Sequence, residues 1–145
     1  MKATVAKMFV AVLAVTLVAG CAMGPKGPSD QELIKGQLEV WKAGLSGSDI
    51  DKLMSTYSEK FYNPEVGGKA EVKEFLGQAM ESGYTENAEV DWSQAKFESA
   101  DGTMKVYPIT VAAAAGSVTI ELIFTKEKIG KTVNWLVTGM NIEGA

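Results

Sequence analysis

The 145-residue chain has no arginine, no histidine and a single cysteine, Cys21. Each absence closes off a class of chemistry. Without arginine there is no planar fork to grip a phosphate or carboxylate bidentately. Without histidine, and with its one thiol at Cys21, the chain cannot build a Ser-His or Cys-His nucleophile pair, and the nitrogen and sulfur ligands of an ordinary zinc site are missing. Oxygen-ligand metals remain, but the acids lack EF-hand spacing, so no metal or other cofactor is expected. A lone cysteine forms no intramolecular disulfide. A long apolar run is missing too. The stretch from Met8 to Val18 falls well short of the roughly 20 residues that span a bilayer.

What is present at the N-terminus has the layout of an export signal. Lys2 and Lys7 form a short positive region, the apolar run follows, and small residues come next. Leu17-Val18-Ala19-Gly20-Cys21 resembles the lipobox of bacterial lipoproteins. That resemblance implies that the Cys21 thiol takes a diacylglycerol, that the chain is cut before it, and that the new amine is acylated with a palmitate-type chain. Residues 1–20 are then a signal peptide, and 21–28 are a lipidated cysteine with a Gly/Pro tether. The alternative is an ordinary secretory signal cut near Ala19 or Ala22. Each buried methylene contributes about 0.8 kcal/mol, so two or more chains anchor stably. The expected partner is therefore a membrane, reached through the lipid, with the domain in water at the cell envelope. Ala22, in place of an aspartate, implies the outer membrane of a Gram-negative host, facing the periplasm.

Removing 20 of the 145 residues leaves 125, one domain's length, spanning 29–145 beyond the tether. Twelve lysines against eighteen acids remain, a net charge of −6 when the amine is acylated. Such a surface repels nucleic acid, whose binding depends on neutralising phosphates.

The pattern predicts helices first and strands after. Ser29 and Glu32 form a capping box, and Ile34, Leu38, Trp41 and Leu45 share one face of a helix over about 30–45, ended by Gly44 and Gly47. Ser48 or Asp49 caps a second helix with Ile50, Leu53, Met54 and Tyr57 on its buried side and Phe61 near its end, and Asn63-Pro64 stops it. A third follows Gly67-Gly68, with a stripe of Val72, Phe75, Leu76, Ala79 and Met80 and a C-cap at Gly83. The period then becomes two. Strands are expected at 89–98, with a register shift before Phe97, and at 103–114, 118–126 and 132–143, joined by hairpins such as Asp101-Gly102. Pro108 requires an edge or a bulge. Consecutive hairpins make an antiparallel meander, and helices then strands make an α+β domain.

This order resembles the nuclear transport factor 2-like, or SnoaL-like, superfamily. The carrying stretch is Trp41 to Leu76, above all Ser48 to Pro64, followed by Gly67-Gly68 before the third helix. The resemblance implies a cone: three N-terminal helices packed in a strongly curved antiparallel sheet, with a pocket at the open end. Ketosteroid isomerase-like members carry a general-base aspartate before the proline, where this chain has Asn63, an amide that takes no proton at neutral pH. Their substrate-polarising tyrosine corresponds to about Trp41, and a later buried acid to Glu121 in Val118-Thr119-Ile120-Glu121-Leu122.

The candidate pocket residues are Trp41, Tyr57, Phe61, Asn63, Trp92, Tyr107 and Glu121. No catalytic residue is assigned. The missing acid/base groups favour a non-catalytic pocket for a small apolar ligand or a protein partner. Two alternatives stand beside it. One is an isomerase or cyclase using Glu121 with Tyr57 or Tyr107. The other is a structural module that homodimerises through the outer face of the sheet. For Glu121, alternation with Thr119 and Thr125 predicts the solvent face.

Overall fold

A computed structural model describes residues 27–144. The expected signal, Cys21 and most of the tether lie outside these residues. Helix α1 (Asp30–Ser46) starts at the expected capping box: the Glu32 amide donates to Ser29 Oγ at 3.2 Å, and the Ser29 amide to Glu32 Oε2 at 2.9 Å. Its buried stripe is Ile34, Leu38, Trp41 and Leu45, as the spacing required, with Gly44 added. Gly44 does not end the helix. A methyl there would meet the Leu53 backbone nitrogen at 2.6 Å, so this glycine lets the second helix cross in backbone contact.

That second helix, α2 (Ile50–Met54), is shorter than the periodicity suggested. The Ser55 and Thr56 hydroxyls bond back to the Lys52 and Leu53 carbonyls, offering the backbone an alternative to another helical turn. The chain straightens, and Thr56 to Ser58 brackets Val137 through two backbone bonds of 2.8 and 2.9 Å. A small ribbon, β1 (Tyr62–Asn63) with β2 (Gly67–Gly68), leads into α3 (Lys69–Glu81). Helix α3 packs on α2 and the β2 lead-in rather than across the sheet. Only Val72 is fully buried; Leu76, Ala79 and Met80 are half-buried, and Phe75, expected inside, is 47 % exposed.

The helix ends in a Schellman motif. The Tyr84 amide reaches the Ala79 carbonyl and the Gly83 amide the Met80 carbonyl, with Gly83 at φ +77°. This reversal turns Tyr84 and Thr85 back toward the sheet.

The sheet comprises β3 (Glu89–Asp91), β4 (Lys96–Ala100), β5 (Thr103–Ala113), β6 (Gly116–Ile129) and β7 (Thr132–Glu143), all antiparallel. The single strand expected over 89–98 is two, broken by a turn at residues 92–95, and both pair with β5. Pro108 falls opposite that break on one side and at a bulge between Val106 and Ile109 on the other. A central strand thus tolerates a residue that cannot donate to the ladder.

Met104, Val106, Ile109, Val111, Ile120, Leu122, Phe124, Trp135, Val137 and Met140 form the buried inner face, against α1 and α2. Two side chains pin α1 diagonally across that face. Gln37 Nε2 donates to the Trp135 carbonyl at 2.8 Å and Ser46 Oγ to the Ala88 carbonyl at 2.8 Å. The result is the α+β cone that the sequence implied: helices held in a curved antiparallel sheet. Every core residue lies between Leu33 and Ile142.

Candidate functional site

At the end of the cone where β5 turns into β6, the helices do not fill the curvature. A cavity of about 460 Å³ remains. Trp41, Leu45, Val111, Ile120 and Met140 form its buried floor; Leu76, Val118 and Ile142 its half-buried walls; and the exposed Tyr84, Ala115, Ser117 and Gly144 its mouth. No lining residue carries a charge. Among the described residues, no three acids lie close enough together to hold a metal ion.

One polar atom beside this wall is sealed off from solvent and from the cavity. Thr85 lines the cavity, and its hydroxyl oxygen is the single buried side-chain polar atom among the described residues without a hydrogen-bond partner. Its backbone is occupied, since the Thr85 carbonyl accepts from Ala88 at 3.1 Å.

Behind the floor sits Tyr57, 2 % exposed. Its hydroxyl accepts from Trp41 Nε1 at 3.2 Å and donates to Met140 Sδ at 3.6 Å. Burial raises the phenol to about 12, opposed only by the indole hydrogen bond. A neutral, donating phenol is therefore fixed one layer beneath two lining side chains. Phe61 stacks on it with ring centres 5.1 Å apart at 60°.

The seven residues singled out by sequence separate into four groups. Trp41 lines the cavity. Tyr57 and Phe61 pack beneath it, while Asn63 and Trp92 lie elsewhere in or against the core. Asn63 has a structural occupation: its Oδ1 accepts from the Glu65 and Val66 amides at 2.8 and 2.9 Å, and its Nδ2 donates to the Met140 carbonyl. An amide can both accept and donate in this way, whereas an ionised carboxylate could not make the bond to the Met140 carbonyl.

Tyr107 and Glu121 are on the opposite, outer face. Glu121 pairs with Lys105 at 3.6 Å and accepts from Asn141 at 2.8 Å. Tyr107 donates to Glu143 at 3.1 Å, and that carboxylate raises its phenol. These two line an outer groove of about 360 Å³ with Lys96 and Glu98, and the sheet separates them from Tyr57.

Residues that sequence reasoning missed make up most of the cavity: Leu45 and Leu76 as lining rather than plain core, Tyr84 and Thr85 at the turn, and Val118, Met140 and Ile142 on the sheet. The signal for the turn was Gly83, recognised as a C-cap, which dictates where the next two residues go.

The chain matches no protein-family model and no curated protein. Solved structures match in shape. A cystatin-like-fold protein of unknown function from Nostoc punctiforme superposes with a TM-score of 0.60 at 13 % identity, over 79 % of this chain and 91 % of that one. An NTF2-like protein of unknown function from Pseudomonas putida gives 0.56 at 12 % identity, over 75 % and 82 %. A de novo designed protein with a curved β-sheet gives 0.55 at 16 % identity, over 77 % and 99 %. The fold is NTF2-like. At these identities the likeness is one of fold alone, and a designed chain sharing it underlines that function must be argued from the site.

Proposed function

We propose that this protein is an envelope lipoprotein whose NTF2-like domain takes a small apolar ligand into the cone without turning it over. The uncharged cavity at the open end carries the reading. Apolar walls with few polar groups are what a ligand pocket needs, and the volume suits one small molecule. Non-catalysis follows from the residues nearby. The position before Pro64 is an amide engaged in holding a turn, and the buried phenol is held protonated to about 12. Glu121, the acid of the isomerase reading, is paired on the far side of the sheet.

A homodimer through the outer face would need apolar area there. Along its centre that face carries the Lys105–Glu121 pair, the Tyr107–Glu143 bond and a Thr125–Thr138 hydroxyl pair at 2.7 Å. We therefore favour ligand uptake over self-association.

The lipid half rests on Leu17 to Cys21. Growth with an alkyne-tagged palmitate analogue should label the chain, and Cys21→Ser should abolish the label; equal labelling of both would remove the anchor. The pocket half predicts saturable quenching of intrinsic fluorescence by a neutral alkyl probe such as dodecane. Trp41 is the tryptophan that lines the cavity. A linear, non-saturating response would remove the pocket reading.

A further inference from the structure

Resting on the anchor reading above, we infer that the tip of the β6–β7 hairpin is a second membrane contact. It docks apex-first on an anionic lipid surface beside the acylated Cys21 and turns the cavity mouth away from the bilayer. Three observations converge. The first is where the chain enters the domain. Asp30, the first residue of α1, accepts from Lys126 Nζ at 3.1 Å and from Trp135 Nε1 at 3.2 Å, and Lys126 and Trp135 are register partners near the closed end of the hairpin. Cys21 lies eight residues before Ser29, so a lipid on it is held within about 29 Å of the helix start, the reach of eight extended residues. Trp41 and Leu45 meet the cavity at the other end of α1. Anchor and mouth are thus served by opposite ends of one helix about 25 Å long.

The second is charge. The hairpin turns at Gly130 and Lys131, with Ile129 opposite Thr132 and Lys128 opposite Val133. Lys128 and Lys131 are exposed, and neither has an ion-pair partner among the described residues. The acids of this end are set further back. Asp30 holds Lys126. Glu127 turns to the Ser58 hydroxyl at 2.8 Å and to Lys60 at 4.0 Å. Asp101 sits in the β4–β5 turn, level with Lys126, whose amide donates to the Gly102 carbonyl at 3.1 Å. The apex lies three residues, about 10 Å, beyond that level. A chain with more acids than bases therefore presents an uncompensated positive apex at the end its anchor serves, the complement of anionic headgroups.

The third is apolar exposure. Ile129 is 58 % exposed and Val133 40 %. Side chains alternate along a strand, so these two stand on opposite faces of the ribbon. Contact through one flat face covers only one of them, whereas an apex-first approach covers both. The lysines then lay their methylene stems along the interface and keep their ammonium groups at the headgroups. Each lysine contributes only about fivefold at such a surface. The anchor makes the contact intramolecular, at an effective concentration of the order of millimolar, so a weak contact is populated.

For the test, the full chain is matured in a lipoprotein-processing host and reconstituted through its own lipid into vesicles of phosphatidylcholine, with or without phosphatidylglycerol. Acylation caps Cys21, the one cysteine. Thr132→Cys at the tip, or Ala114→Cys in the β5–β6 turn, then supplies the free thiol for a fluorophore, and both positions are exposed. With phosphatidylglycerol present, lipids carrying a nitroxide on the acyl chain should quench the tip label and spare the label at 114. Lys128→Glu combined with Lys131→Glu should lower the contact equilibrium roughly tenfold or more, at about fivefold per lysine. Molar salt, which screens charges beyond about 3 Å, should weaken it without any substitution. A palmitate-labelled chain whose tip label stays unquenched on anionic vesicles overturns the contact and leaves the anchor standing. Equal quenching without phosphatidylglycerol overturns the recognition of charge, and equal quenching at 114 overturns the orientation. A tip label shielded in proportion to protein density, and not quenched by lipid, places a second copy of the chain there and removes the lipid occupant. A chain that takes no palmitate analogue fails one step earlier: the anchor reading falls, and this inference falls with it.

Discussion

The two ends of the cone are built from the same strands and packed to different densities. At the end formed by the β6–β7 hairpin, Phe124, Val137 and Leu38 are fully buried, with Trp135 at 3 % exposure, and Asp30 reaches across to Lys126 Nζ at 3.1 Å and Trp135 Nε1 at 3.2 Å. At the β5–β6 end, Val118, Ile142 and Leu76 are half-buried around an unfilled space. The difference comes from what covers each end. Helix α1 is pinned to the sheet by its own side chains, whereas α3 touches the sheet little and buries only Val72. One end is a core, and the other is a core with part of its filling left out. A space that the fold could have closed with larger side chains is the stronger reason to see a receptacle there.

Truncating one side chain at each end gives the sharpest contrast. Phe124→Ala deletes a ring at 0 % exposure and should cost about 3–5 kcal/mol, the range for aromatic truncation in a close-packed core. Val118→Ala removes two methyl groups from a wall that already borders open space, so no sealed void is created, and about 1 kcal/mol or less is expected. Urea unfolding of both variants measures this, with m unchanged as the sign that the folded state kept its form. Equal losses would mean that the open end is packed as tightly as the closed one.

The same contrast explains what could be read from the chain beforehand. The element order was legible because its punctuation is local: the Ser29–Glu32 box, Asn63-Pro64, Gly83 and Asp101-Gly102 each act within four residues. The buried face of α1 was legible too, since Ile34, Leu38, Trp41 and Leu45 recur at helical spacing and all prove buried. The open end was not. Phe75 has helical periodicity, but periodicity shows only that a helix has an apolar side and does not show whether anything covers it. Six of the seven candidates do not line the cavity, and Asn63 among them holds a structural post. The cavity is lined largely by small and aliphatic residues, Ala113, Ala115, Gly116 and Val118 among them. Their message is an absence of bulk, which depends on the sheet's curvature and on no local motif. Thr85 had no signature at all, because an unpaired hydroxyl exists only once the fold has surrounded it.

Tyr57 marks the boundary between the two ends and gives the subtler test. It touches Trp41 and Met140, which face the cavity, and stacks on Phe61, which does not line it. If the boundary is dry, the phenol stays protonated to about 12 in the folded chain, against about 10 when unfolded. The sign follows directly. Below pH 10 both states hold the proton and the stability is fully present. Between pH 10 and 12 only the unfolded state releases it, so stability falls, by about 2–3 kcal/mol across the window. Absorbance at 295 nm, compared between the chain and Tyr57→Phe, isolates this one phenol among the four tyrosines. The parallel unfolding series should show that Tyr57→Phe loses less stability over the same two pH units. An ordinary titration near 10 would mean that solvent reaches the tyrosine through the floor, and the packed end would then begin further from the mouth than Trp41 and Met140 imply.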